Sequence, residues 1–434
     1  MQKCPLFKNR YFNLALLLIL ALFLSIISES YKLEGDSAEY INNYNIRAPL
    51  YPLIIDFFNF FSASNYLSLT FYFQLTIGFC LLTISLIHLI RTLRLPSVFY
   101  IILFFILFRP YYSNPFIGNL IYTEAITYPI FIFLCLRIIQ FIFSPDYKSF
   151  LYLIILSCLL ILTRKQFEYL FIVLPLLFFV FFYLNRETGI RIKNVISIFV
   201  AAILFTLLTD SGYHYLYNGH FGSEPGNGIW MVVPALYISN MEDTTVLKTQ
   251  SEIDYFKSVY SKLDSNNMTL KKFIKENKPI SVITAYSESW SKICWKYSLP
   301  LEQKYTNGIE KANSTYAYDK FLGGIAYKLI IKNSKNFFIL ISKNLIKTFD
   351  SNSHFILFMS MLLLIITQLF ANLKNRLLLA SLAILIMALC NNILIAIVLY
   401  PDERVLLYSD AIINMQLIIF SYYALKSFVS CREI

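Results

Sequence analysis

Ten apolar runs, separated by short polar connections and one long polar segment, dominate this chain. They cover residues 12–28, 67–90, 97–108, 125–143, 148–162, 167–184, 195–209, 355–371, 377–400 and 405–427. A segment needs about 20 apolar residues, or about 17 at the least, to cross the hydrocarbon layer of a bilayer. No water is available there to satisfy backbone N–H and C=O groups, so isolated runs of this length fold as helices. Only 15% of the 434 residues are charged, well below the roughly 25% of soluble domains. The expectation is an all-α polytopic membrane protein of about ten transmembrane helices, the run 97–108 being short. Three regions follow: an N-terminal transmembrane module over 1–210, a loop domain over 211–352, and C-terminal transmembrane helices over 353–434.

Charge fixes the expected sidedness. Thirteen basic residues, from Lys3, Lys8 and Arg10 to Lys426 and Arg432, fall in connections on the N-terminal side. Six fall in short connections opposite: Lys32, Arg47, Arg109, Arg164, Lys165 and Arg404. The positive-inside bias then puts both termini in the cytoplasm and the long segment outside. The net charge of +11 is accounted for by these loops and argues against nucleic acid as a partner. Of seven cysteines, Cys80, Cys135, Cys158 and Cys390 lie inside apolar runs, so neither a disulfide framework nor a zinc spacing is present. The basic N-terminus and first apolar run read as a retained signal-anchor, because no small-residue cleavage site follows.

The long segment carries helix signals. Ser251 and Asp254 have capping-box spacing, five glycines and prolines over 219–228 mark an irregular loop, and 326–349 alternates lysines with apolar clusters, as an interfacial helix does. His214 and His220, six residues apart, read as part of a glycine-rich loop, without helical metal-ligand spacing.

Unusual polar residues gather on the expected outer face. The first outer loop, residues 34–52, holds Asp36, Glu39, Tyr40 and Arg47. Asp36 and Glu39 read either as a helix capping box or as carboxylates at headgroup height able to act as general base. Arg47 suits an ion pair with Glu34 or a lipid phosphate, which a guanidinium holds bidentately. Tyr122 and Glu124 stand at the start of the fourth run, with Thr123 as a candidate cap. Arg164 and Lys165 form a basic tip between two runs, and Arg404 lies beside Asp402 and Glu403. Charges this close to hydrocarbon are costly and need a partner or a function.

The order of these motifs resembles that of the GT-C class of membrane glycosyltransferases. Gly35-Asp36 with Glu39 is similar to their first-loop acidic motif, and Arg47-Ala-Pro-Leu-Tyr-Pro52 to the basic residue and PLYP that follow it. Thr123-Glu124 is similar to their second-loop TE pair, and Thr163-Arg164-Lys165 to a basic tip between middle spans. Arg404-Val-Leu-Leu-Tyr408 resembles a late R-Y-L-L-P motif, with Val and Tyr in place of Tyr and Pro. The resemblance covers the first 170 residues and the last two spans. It implies a GT-C-like fold and an inverting sugar transferase in a bacterial cytoplasmic (inner) membrane, active on its outer face. The donor would be a polyprenyl-phosphate-linked sugar and the acceptor an envelope glycan, lipid or protein. Asp36, Glu39 and Glu124 would be catalytic, and Arg47, Arg164, Lys165 and Arg404 would bind the donor phosphate. Tyr40, Tyr122, His214 and His220 would contact the acceptor. No cofactor is expected, although the paired carboxylates leave room for Mg²⁺ or Mn²⁺. Two other readings stay open: an O-antigen polymerase or ligase using a diphosphate-linked glycan, and a lipid-linked-sugar transporter or flippase.

Overall fold

The computed structural model of the chain describes residues 9–43, 46–114, 116–184, 192–271, 282–307, 309, 311–349, 351–400 and 402–432. Among these residues the regular structure is all helical, without a strand. Among the described residues, seven helices are long and apolar enough to cross a membrane. Of the ten apolar runs, 97–108, 148–162 and 167–184 give shorter helices, of nine, 17 and 15 residues. The chain divides into two compact units, Met1–Thr209 with Leu357–Asn391 and Glu403–Ile434, and Asp210–Ile356 with Asn392–Asp402.

In the first unit the order is α1 (Arg10–Ile27), α2 (Ser37–Ile41), α3 (Leu50–Phe61), α4 (Tyr66–Thr92), α5 (Phe99–Leu107), α6 (Glu124–Phe143), α7 (Tyr147–Thr163) and α8 (Leu170–Leu184). Helix α9 (Ile192–Asn218) leads into the second unit. The second unit holds α10 (Asn227–Ile238), α11 (Gln250–Ser265), α12 (Val282–Ser291), α13 (Lys311–Lys332) and α14 (Ser334–Lys347). The chain ends in α15 (Asn352–Ala371), α16 (Arg376–Val398) and α17 (Glu403–Arg432).

Helix α6 is the centre of the first unit, packing on α4, α7 and α17. Its apolar window is 78% buried, against 22% for α1. A helix apolar on every side is one enclosed by others, and α6 fits that description. Pro129 interrupts it, and proline removes the N–H that would bond the carbonyl four residues back. That carbonyl, on Ala125, accepts instead from the Tyr111 hydroxyl at 3.2 Å. Gly78 of α4 makes room for the same group, since a Cβ there would lie 2.5 Å from the Tyr111 oxygen and 3.2 Å from Pro129 Cγ. One tyrosine thus repairs the break in α6 and sets the α4–α6 spacing.

The second unit is built on α10 and α13. Gly228 lets their backbones touch, because a Cβ would fall 1.9 Å from the Asp319 carbonyl oxygen. The Asp319 carboxylate accepts from the N–H groups of Gly228 and Ile229 at 2.8 and 2.9 Å, capping α10 from across the contact. The start of α11 corrects the sequence reading. The capping box there is Thr249 with Glu252, not Ser251 with Asp254, because Glu252 is also held by Lys328.

Replacing Tyr111 by Phe should leave a buried carbonyl without a donor and lower stability by about 1–3 kcal/mol. Unfolding of the purified protein in detergent measures this, and an unchanged midpoint would remove Tyr111 from the account of α6.

Candidate functional site

The first loop is pinned before its charges are placed. Lys32 N–H donates to Asn119 O at 2.8 Å, and Ile121 N–H donates to Lys32 O at 3.3 Å, forming an isolated parallel bridge to the connection ahead of α6. The buried Ser37 hydroxyl donates to Ile121 O at 3.1 Å. From beneath, Tyr51 Oη donates to Gln74 Oε1 at 2.8 Å, and the amide of Gln74 donates to Leu120 O at 2.6 Å. Each bond satisfies a backbone or amide group that burial would otherwise leave costly. Together they hold α2 against the N-terminus of α6.

On that platform the predicted residues converge. Asp36 takes Arg47 Nη2 on one oxygen at 3.2 Å and Arg404 Nη1 on the other at 3.6 Å. Arg47 also pairs with Glu39, donating through Nε at 2.6 Å. Its guanidinium lies over the Tyr40 ring, 4.9 Å from the centroid, and Arg404 lies over Tyr122 at 5.2 Å. Such cation–π placements favour the charged guanidinium. Tyr40 Oη shares a hydrogen bond with Thr123 Oγ1 at 3.2 Å, and Thr123 donates to Glu124 Oε2 at 3.0 Å. Glu124 Oε1 takes Arg164 Nη1 at 2.6 Å. Tyr408, four residues after Arg404 on α17, meets Thr127 of α6 at 2.6 Å.

These contacts form one chain, Arg404–Asp36–Arg47–Tyr40–Thr123–Glu124–Arg164, drawn from four separate connections. Tyr40 feels Arg47, Glu124, Arg164 and Asp36 at once, although burial is what chiefly raises its hydroxyl pKa. Burial likewise raises Glu39, with Arg47 pulling the other way. The Tyr122 hydroxyl is pushed up to about 12, mainly by burial and against the pull of Arg404. Burial opposes the charge on Arg47, but Tyr40, Asp36 and Glu39 outweigh it, so the guanidinium stays protonated.

Several local readings of the sequence are corrected. Asp36 is the residue before α2, yet its side chain makes no capping bond, because two arginines claim it. Thr123 does not cap α6 either, since its hydroxyl faces Tyr40 and Glu124. Arg47 pairs with Glu39 and Asp36 rather than Glu34. Lys165 opens the short turn after Arg164 and is half-buried. His214 does not lie in a glycine-rich loop: α9 continues to Asn218, where Gly219 ends it with φ +71°. Asn218, one turn on, hydrogen-bonds the His214 ring at 3.1 Å, and Asp210, one turn back, has a carboxylate oxygen 3.3 Å from its other nitrogen; side chains at i,i+4 meet in this way along a helix. His220 stacks on Tyr316 and meets Asn313 at 2.6 Å. Both histidines belong to the second unit.

Sequence reasoning did not single out Gln74, Tyr51 or Ser37. Gln74 alone left a signal, as an amide inside an apolar run. Among the described residues no group of three or more His, Cys, Asp or Glu side chains is placed to hold a metal ion.

Removing one partner of a buried ion pair costs about 3–5 kcal/mol, whereas replacing both with apolar groups is close to neutral. Glu124→Leu alone should therefore lower stability by about that amount, and Glu124→Leu with Arg164→Met should restore most of it. Thermal unfolding of the three proteins checks this; a double variant as unstable as the single would show that the pair is not coupled. Compared with protein-family profiles, curated proteins and solved structures, the chain matches none.

Proposed function

We propose that the chain is an inverting membrane glycosyltransferase that takes a sugar from a polyprenyl-phosphate donor. The acceptor is an envelope glycan, lipid or protein, reached on the outer face of a bacterial cytoplasmic membrane. The observation that carries the reading is Asp36 held between Arg47 and Arg404, beside the buried Glu124–Arg164 pair. A carboxylate flanked by guanidiniums is what an acceptor hydroxyl and a departing phosphate need side by side. Exposure separates the roles. Asp36 and Arg404 are 29% and 34% exposed, while Glu124 is at 3%. The first two face incoming substrate, and Glu124 positions Arg164 from behind.

The chemistry follows from that division. The donor phosphate draws Arg404 and Arg47 to itself, the long 3.6 Å contact from Arg404 being the easier to give up. Asp36, released, accepts the proton of the acceptor hydroxyl as its oxygen attacks the anomeric carbon. The bond from that carbon to the phosphate oxygen breaks, and the phosphate leaves with the electron pair. One displacement inverts the anomeric centre. Arg47, Arg164, Lys165 and Arg404 stabilise the charge on the leaving phosphate, at about 3 kcal/mol for a well-placed donor. Tyr40 and Tyr122 wall the acceptor side, and Glu39 keeps Arg47 oriented.

Asp36→Asn should reduce transfer by about 100-fold or more, the usual cost of losing a general base. The same variant should bind donor at least as tightly, since one carboxylate fewer competes for the arginines. Transfer assays with purified protein and mono- and diphosphate-linked polyprenyl sugars test both points. Retention of more than about a tenth of the activity would remove Asp36 from the chemistry, and transfer from the diphosphate alone would favour a polymerase or ligase.

A further inference from the structure

A cavity of about 130 Å³ lies in the first unit, lined by α5, the turn after it, α6 and α17. Its α17 residues adjoin those of the charged cluster on one helix face. Arg404 and Tyr408 serve the cluster, whereas Leu407, Asp410, Ala411 and Asn414 line the cavity at the i, i+3, i+4, i+7 spacing of one helix face. Asp410 stands inside the membrane-length span Arg404–Ala424. A carboxylate at such a position marks a binding or transport function more often than a structural one. Arg109, exposed in the turn after α5, lines the same cavity. Tyr128 contributes its ring, because its hydroxyl is committed to Leu107 O at 2.8 Å.

We propose that this cavity binds a phosphate-plus-ammonium zwitterion, the headgroup of an aminophospholipid, with the phosphate on Arg109 and the ammonium on Asp410. A lining that holds both a guanidinium and a carboxylate selects a zwitterion over a simple anion, which Asp410 repels. The Tyr128 ring adds a surface that favours a cation. The mouth selects a lipid over a soluble compound: beside the charged Arg109 stands Phe105, apolar and 51% exposed, so a head and an acyl chain are accommodated together. The site is independent of the glycosyl-transfer reading and uses none of its residues.

Native mass spectrometry of the full chain in detergent, titrated with dioleoyl phosphatidylethanolamine or dioleoyl phosphatidylglycerol, tests the proposal. The wild type should retain the ethanolamine lipid about tenfold more tightly. Arg109→Ala should weaken both lipids about tenfold, and Asp410→Asn should weaken only the ethanolamine lipid, erasing the preference. Ala411→Phe, which fills the cavity and leaves Arg109 and Asp410 in place, should displace it as well. Equal retention of the two lipids by the wild type, or ethanolamine-lipid binding unchanged in Ala411→Phe, would overturn the site and leave ordinary annular lipid. Displacement of the lipid by millimolar glycerophosphoethanolamine, with no contribution from the acyl chains, would overturn the lipid assignment in favour of a soluble zwitterion.

Discussion

A carboxylate at the first position of an apolar, enclosed helix is the constraint from which much of the first unit follows. Glu124 is buried, and leaving its charge unpaired would cost several kcal/mol. Arg164 meets one oxygen and Thr123 the other. Meeting that demand brings the end of α7 to the start of α6, and Thr123 passes the connection on to Tyr40 of α2. The helix dipole adds a smaller contribution, since a carboxylate in the first turn is favourable on its own. The charged cluster is thus an extension of what α6 already requires.

The apolar runs were legible because length and composition decide them with little help from context. Local motifs fared worse at the site, for one physical reason. Asp36-Ser-Ala-Glu39 has the spacing of a capping box, and a capping bond contributes about 1 kcal/mol. Two guanidiniums arriving from Arg47 and Arg404 offer more, and the side chain turns to them. The Thr123 hydroxyl leaves the cap for Glu124 in the same way. That charged residues would gather was readable from their placement at the ends of apolar runs. Which carboxylate each arginine would take was not, because partners lie up to several hundred residues apart.

Packing partners within apolar helices were the least legible part. Nothing in the residues around Gln74 announces that its amide holds Leu120 O, or that Tyr51 holds Gln74 in turn. Gly78 and Pro129 are similar: each is a mild fault in its own helix, and Tyr111 makes sense of both. In the second unit Gly228 gains its meaning only from the backbone of Asp319. Such residues answer to a neighbour rather than to a period.

Helix α17 shows how one element serves two environments without mixing them. Successive residues on a helix are rotated by about 100°, so positions 404 and 408 fall on one stripe and 407, 410 and 414 on the adjoining one, with 411 between them. The first stripe meets opposite charge from the pinned loop and a hydroxyl of α6. The second sets Leu407 beside the polar Asp410 and Asn414. Tyr128 lies between them, its ring against Tyr408 on one side and lining the cavity on the other. Because α6 is enclosed and packs on α17, both sets of side chains are referenced to the same helix. The charged cluster and the cavity are therefore kept distinct by the partners each set meets, Thr127 for Tyr408 and the turn after α5 for the cavity residues, rather than by separate faces of α17.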